Sequence, residues 1–468
     1  MISMTLENIA AAVGGELCNN NENIREAAGV VIDSRKIEKD FIFIATVGER
    51  VDGHSFIDSV FEKGALGVIC EKAPQNPKGP YILVKDSFQA LKDLAEYYRS
   101  QLDVKVVGIT GSVGKTSTKE FVASVLSKGF NTLKTEGNFN NEVGLPLTVL
   151  KIQKDCEIAV LEMGISDFGE MHRLSKIAKP DICMITNIGQ CHLENLGTRD
   201  GILKAKTEIF DFMSADAEIC LNGDDDKLIT VCDVDGKNPL FFGRNTDRDI
   251  YATDYVNKGL AGSEVVIHIN TDGRQESFKA DIPLPGEHMV YNALAATAAG
   301  VMCGLETSKI REGIAQVKPV GGRSNVISTD RITIIDDCYN ANPVSMKAAI
   351  DLLAMTNMAG DSTKSSRKVA ILGDMFELGE NEKALHKQVG TYIANQKADV
   401  VVCIGELSKN MYEGITESEG SSENVHYYKD KEKMIKDISR LIQDEDIVLV
   451  KASHGMHFEE IINELKSI

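Results

Sequence analysis

Short apolar runs rich in Val and Ile recur along the chain, separated by helix-like segments, and they constrain the fold more than any other feature. They are VKVVGIT at 104–110, IAVLEM at 158–163, ICMITNI at 182–188, ITIIDD at 332–337, VAILGD at 369–374, VVVCIG at 400–405 and IVLVKA at 447–452. A strand covered by helices on both faces reads as a continuous apolar run, whereas one with a wet face alternates. The class is therefore α/β with parallel sheets. At 468 residues the chain outgrows a single core, and three domains are expected: 1–103, 104–318 and 319–468, divided where a new strand series begins.

The last of these alternates strand and helix like a Rossmann-like, doubly wound domain. Asn342 followed by Pro343 supplies an N-cap and a first-turn proline for a helix through Met346, Ile350 and Leu353. HFEEIINELKSI reads as a closing amphipathic helix. No GxGxxG occurs, so this topology gives no reason to expect NAD. Residues 240–285 carry short alternating strands such as EVVIHI among Asp, Asn, Gly and Thr, and are expected to form an antiparallel excursion of the middle domain.

A formal charge of -19 argues against duplex nucleic acid and anionic membranes as partners. Small anions remain possible ligands where local cations or backbone amides gather. The opening MISMTLENIAAAVGGE has no basic leader before an apolar core, and no run reaches the roughly 18 apolar residues of a membrane span. Ten cysteines, including Cys18, Cys183, Cys191 and Cys338, form no CxxC pair, and are expected as reduced thiols of a cytoplasmic protein.

GITGSVGKTS, Gly108–Ser117, directly follows the run VKVVGIT and precedes a helical pattern with Phe121, Val122, Val125 and Leu126. Strand, glycine loop and helix are the context of a phosphate loop. Its members Gly111, Ser112, Val113, Gly114, Lys115, Thr116 and Ser117 offer backbone amides to phosphate oxygens, Lys115 a cation for the terminal phosphates, and Thr116 a hydroxyl for Mg²⁺. Ile109 stands where the common GxxxxGK[ST] pattern has its first glycine. The middle domain is accordingly expected to be P-loop ATPase-like around a parallel sheet.

Glu162 ends one apolar run and His192 follows another, so both are expected at the carboxyl edge of the sheet, beside the loop, where they offer ligands for a divalent ion. Taken singly, each also reads plainly, Glu162 as a cap and His192 as a satisfied loop histidine. Lys206, in GILKAKTEIF, reads by itself as a solvated helix-face lysine.

Together these residues resemble the Mur ligase family, which joins amino acids or dipeptides to the peptidoglycan precursor. Its middle domain carries a GxxGKT loop, a glutamate, a histidine and a lysine, and here Lys206 stands fourteen residues after His192. The resemblance runs over nearly the whole chain. DSR at 33–35, with Ser34 and Arg35, and GERVDGHSF at 48–56 are similar to a uridine-diphosphate-binding region; EGNFNNEVGLPLT at 136–148, with Asn138 and Asn140, to a loop facing substrate; GEHMVYNALAA at 286–296 to a segment whose Asn292 meets adenine. GRSN carries Arg323. IDDCYNANPVSM at 335–346 and ILGDMFELGE at 371–380 resemble the branch that adds D-alanyl-D-alanine to UDP-N-acetylmuramoyl-tripeptide.

The resemblance implies an ATP- and Mg²⁺-dependent amide ligase working through an acyl phosphate, with Lys115, Glu162, His192 and Lys206 as its catalytic set. Thr116, Glu162, His192 and a CO₂-carbamylated Lys206 would serve the metal, Arg323 and Asp337 ATP, and Asn340 the incoming dipeptide. It also implies a monomer whose domains close on ATP and precursor. Met289, Ala452 and His454 depart from residues frequent in the family. A folate-polyglutamylating ligase and a nucleotide-dependent switch ATPase are the alternative readings.

Overall fold

The computed structural model describes every residue except 21–23, 50, 272, 357–365, 397 and 419–423. Three sheets follow one another along the chain. The first contains β1 (Glu16–Cys18), β2 (Gly29–Val31), β3 (Phe41–Ile44), β4 (Gly67–Cys70) and β5 (Tyr81–Leu83), ordered β1-β5-β4-β3-β2, with only the β1–β5 pair antiparallel.

The second contains β6 (Lys105–Thr110), β7 (Thr132–Lys134), β8 (Ile158–Glu162), β9 (Ile182–Ile185), β10 (Glu218–Asn222), β11 (Leu240–Gly243), β12 (Ile250–Asn257), β13 (Ser263–Thr271) and β14 (Arg274–Ile282). Its order is β14-β13-β12-β11-β10-β9-β6-β8-β7. Strand order reverses at β6, which lies between β8 and β9, so a crevice opens at the carboxyl ends of these three strands. The antiparallel excursion expected over 240–285 is narrower than that range. β11 pairs in parallel with both β10 and β12, and antiparallel pairing begins only between β12 and β13. The alternating EVVIHI lies in β13, antiparallel to both its neighbours, whereas the parallel β11 is the short apolar run LFFG, which carries no alternation.

The third sheet contains β15 (Asn325–Ser328), β16 (Thr333–Asp336), β17 (Lys368–Gly373), β18 (Val400–Ile404), β19 (Val425–Tyr428) and β20 (Ile447–Lys451), ordered β15-β16-β20-β17-β18-β19. All but the β15–β16 pair are parallel. β17, β18 and β20 are buried at every position, which is why they read as unbroken apolar runs. The helix Pro343–Met355 starts on a capping box between Asn342 and Ser345 with Pro343 in its first turn, satisfying amide groups that the helix cannot bond internally.

One apolar core joins the first sheet to a face of the second. The helix Ser87–Ser100 buries Leu91, Leu94, Ala95 and Tyr98 against the helices Gly144–Val149 and Glu170–Ala178; a fully buried leucine contributes about 1.5–3 kcal/mol. Polar groups fix the same junction. Tyr98 donates its hydroxyl to the carbonyl of Ile152 at 2.7 Å, and Arg99, 8% exposed, donates Nε to the carbonyl of Ala178 at 2.9 Å. No helix among the described residues is long and apolar enough to cross a membrane.

Candidate active site

The loop after β6 is shaped by the segment after β9. Ser112 N–H donates to the carbonyl of Asn187 and Val113 N–H to its Oδ1, both at 3.0 Å, while Thr186 Oγ1 and Asn187 Nδ2 donate back to the carbonyl of Val113 at 2.7 and 3.0 Å. A Cβ at Gly111 would stand 1.9 Å from Thr186 Oγ1, so only glycine lets the two segments meet. Gly114, at φ +81°, turns the chain into the helix Lys115–Leu126. The first-turn amides of that helix therefore point out of its N-terminus, where the helix dipole favours anions. Lys115 Nζ donates to the carbonyl of Gly111 at 2.8 Å, and burial pulls its pKa down.

Glu162, the last residue of β8, is 1% exposed. Its Oε1 accepts from Thr116 Oγ1 at 3.0 Å and from Asn140 Nδ2 at 2.8 Å. Its Oε2 has no hydrogen-bond donor and lies 3.7 Å from Nζ of Lys119, itself 1% exposed. His192 has left-handed backbone geometry (φ +50°) directly before the short helix Leu193–Leu196, and its Nδ1 sits 2.5 Å from Oε2 of Glu377.

The solvated lysine that the segment around Lys206 suggests is not what the fold makes of it. Lys206 is 0% exposed, its Nζ has no partner, and burial lowers its pKa from 10.5 to about 8, with the charge of Lys115 adding to the shift. The helix Arg199–Thr207 turns Ile202, Ala205 and Lys206 inward together. A lysine on the buried stripe has the same spacing as its apolar neighbours, so periodicity is blind to it.

A cavity of about 640 Å³ joins these groups to the third sheet. From the central sheet it is lined by Ser112–Thr118, Asn140, Glu162, His192 and Asn292, and from the third by Arg323, Asp337, Asn340 and Lys451. Lys451 ends β20 at 2% exposure and donates to Asp337 Oδ2 at 2.6 Å and to the carbonyl of Asn340 at 3.0 Å; Asp337 Oδ1 accepts from Ser324 N–H at 2.9 Å. The Arg323 guanidinium lies 4.0 Å from the centre of the Tyr339 ring, and His454 packs near the same ring at 5.3 Å. Asn292, 5% exposed, accepts from Thr118 Oγ1 at 2.8 Å and donates to Met289 Sδ at 3.3 Å, so the methionine serves as a weak acceptor.

In a protein of net charge -19, Lys115, Arg323 and Lys451 bring three cations to this cavity beside the carboxylates of Glu162, Glu170 and Asp337. Those cations, together with the outward amides of the helix Lys115–Leu126, suit a polyanionic ligand. The donor set also fits Mg²⁺. Among the described residues no three His, Cys, Asp or Glu side chains gather as a closed metal cage, but Mg²⁺ takes one or two carboxylates and completes its shell with water and phosphate oxygens. The buried, undonated Oε2 of Glu162 and the Thr116 hydroxyl beside it are oxygen ligands of that kind.

Not every expected residue reaches this cavity. Gly111 and Lys206 do not line it, and Asn138 is exposed with its carbonyl accepting from Asn140 N–H at 2.7 Å. Ser34 and Arg35 belong to the first sheet's surface, where Asp33 caps Arg35 N–H and holds its guanidinium at 2.8 and 2.9 Å. That pairing draws the Asp33 pKa down to about 2. In the neighbouring DGHSF turn, His54 Nε2 accepts from Glu71 N–H at 2.9 Å, which places the ring proton on Nδ1 facing Asp52 at 2.6 Å; Arg50 of that segment lies outside the described residues.

Sequence reasoning gave no role to Asn187, Lys451, Tyr339 or Glu377. Asn187 and Lys451 carry a signal, a polar residue just past or at the end of a buried strand; Tyr339 and Glu377 carry none outside the motifs that contain them.

The Mur ligase middle domain matches residues 109–300, the Mur ligase glutamate ligase domain 322–454, and the Mur ligase family catalytic domain 26–99. The chain is 39% identical to UDP-N-acetylmuramoyl-tripeptide--D-alanyl-D-alanine ligase of Bacillus subtilis, over 99% of each protein. It superposes on a crystal structure of MurF from Acinetobacter baumannii with a TM-score of 0.89 at 30% identity, covering 99% of both chains. The corresponding values for MurF ligase of Thermotoga maritima in complex with ADP are 0.79 and 30%, covering 94% of this chain and 97% of that one.

Proposed function

The chain belongs to the Mur ligase family, and from that premise we propose that it joins D-alanyl-D-alanine to UDP-N-acetylmuramoyl-tripeptide at the expense of ATP. The observation that carries this reading is the single cavity walled at once by the phosphate loop, by Glu162 and by Arg323, Asp337 and Asn340 of the last sheet. An amide ligase that activates a carboxylate with ATP and then admits an amine needs its nucleotide, acceptor and incoming amine to meet at one point.

In this reading the first-turn amides and Lys115 bind the β- and γ-phosphates, Arg323 and Asp337 reach the ATP from the last domain, and Asn292 meets the adenine. The acceptor carboxylate attacks the γ-phosphorus, ADP leaves, and an acyl phosphate forms. The free amine of D-alanyl-D-alanine, oriented near Asn340, attacks the acyl carbon, and phosphate leaves with the oxygen that had belonged to the carboxylate. Thr116, Glu162, His192 and a carbamylated Lys206 are the residues that would hold Mg²⁺, whose charge offsets that of the phosphate oxygens. Lys206 suits carbamylation because a buried amine with a pKa near 8 is uncharged in a usable fraction of molecules and nucleophilic toward CO₂. Ser34 and Arg35 would bind the uridine diphosphate, with Asn138 and Asn140 toward the peptide.

The division 1–103, 104–318 and 319–468 is supported by the spans of the three sheets. The ten cysteines are all free, which suits the reducing cytoplasm where such precursors are assembled. Precursor labelled with ¹⁸O in its terminal carboxylate tests the chemistry: one label is expected in the released phosphate, and phosphate free of label would rule out the acyl phosphate.

A further inference from the structure

We infer that Glu377, on the loop after β17, is a positioning residue for His192: it holds Nδ1, leaves Nε2 to the cavity, and makes completion of the site depend on how the last domain seats on the central one. The inference rests on the proposed role of His192 toward Mg²⁺.

Four observations converge on it. The His192 Nδ1 atom is buried and has no aligned hydrogen bond, and its one close partner is Oε2 of Glu377 at 2.5 Å. The contact crosses between domains, from the segment after β9 to the segment after β17. Both residues sit in the left-handed region, His192 at φ +50° and Glu377 at φ +62°. For non-glycine residues that geometry costs on the order of 1 kcal/mol each and persists only where the surroundings impose it. The surroundings are packed. Leu193 joins the apolar core of the last domain, and Gly379, at φ +65°, lies against the backbone of Glu194, where an added Cβ would stand 3.4 Å from its Cα.

An exposed ion pair contributes little to stability, and Glu377 has a side-chain exposure of 55%. Its effect is therefore expected on the imidazole and not on the fold. A histidine that ligates a metal through one nitrogen commonly has the other fixed by a carboxylate, and loss of that carboxylate lowers metal affinity about 10- to 100-fold.

The test uses the full chain with a non-hydrolysable ATP analogue, and Mn²⁺ as an electron-paramagnetic-resonance probe in place of Mg²⁺. Affinity is measured for the unsubstituted chain, Glu377→Gln, His192→Ala and the double variant. We expect Glu377→Gln to weaken Mn²⁺ binding about tenfold, His192→Ala to weaken it at least as much, and the double variant to match His192→Ala. Glu377→Asp should recover part of the loss, and kcat for ligation should follow the affinities at unchanged KM for the uridine nucleotide. Unchanged affinity in Glu377→Gln, or a loss that adds in full to that of His192→Ala, would overturn the inference while leaving His192 in place. Unchanged affinity in His192→Ala would overturn the role of His192 itself, and the inference with it.

Discussion

Thr116 donates its hydroxyl to Oε1 of Glu162 over 3.0 Å, which ties the first turn after the phosphate loop to the end of the neighbouring strand. Nucleotide and acceptor would meet across this link. Thr116→Val keeps the shape but removes the donor, and kcat/KM for ATP is expected to fall roughly 10- to 100-fold. Glu162→Gln keeps the volume and removes the charge beside Lys119, with a larger expected loss, on the order of a hundredfold or more. Steady-state kinetics at fixed precursor measures both, and near-normal values for Glu162→Gln would take this carboxylate out of the mechanism.

Lys206 is buried with no hydrogen-bond partner for its Nζ, so an alanine there breaks no polar contact and leaves a cavity in the packing. Lys206→Ala is expected to fold, to lose nearly all ligation, and to regain part of it with added short carboxylic acids, which restore the lost carboxylate. Full activity without additive would show that the lysine has no catalytic part.

The Arg323 guanidinium carbon lies over the Tyr339 ring, 4.0 Å from its centre. A guanidinium stacks in this way and an ammonium does so less well. A contact of this type is worth about 0.5–2 kcal/mol. Arg323→Lys and Tyr339→Leu should therefore each raise KM for ATP or lower kcat about tenfold, with Tyr339→Phe close to unsubstituted. Loss in the phenylalanine variant equal to that in the leucine variant would assign the effect to the phenol oxygen and not to the ring face.

Tyr98 is fully buried, donates to Ile152 across the junction of the first two sheets, and has its pKa raised to about 12, first by burial. The unfolded chain releases this proton near pH 10, so between about pH 10 and 12 the folded state holds more protons than the unfolded one. Stability from this group is complete below pH 10 and falls as pH rises toward 12. Tyr98→Phe should lose about 1 kcal/mol at neutral pH, the worth of the hydrogen bond, and show a shallower alkaline decline in urea unfolding. An unchanged alkaline slope would contradict the assignment.

Much of the fold was legible in the sequence because buried parallel strands declare themselves locally. The runs at 104–110 and 447–452 became β6 and β20 almost residue for residue. The first sheet was not legible at that level, since Glu16–Cys18, Gly29–Val31 and Tyr81–Leu83 are too short to carry a period. The phosphate loop was legible because strand, glycines and helix start are contiguous. Lys451 and Asp337 are not: 114 positions separate a pair that β16 and β20 bring together by lying side by side. The burial of Lys206 likewise depends on what packs over its helix, which no window of sequence contains.

The central claim is tested most directly by incubating the purified protein with Mg-ATP, UDP-N-acetylmuramoyl-tripeptide and D-alanyl-D-alanine and weighing the products by mass spectrometry. The account predicts UDP-N-acetylmuramoyl-pentapeptide, formed only when all three substrates are present. Absence of the pentapeptide from protein that demonstrably binds ATP, or formation of a tetrapeptide product from D-alanine offered in place of the dipeptide, would contradict the account.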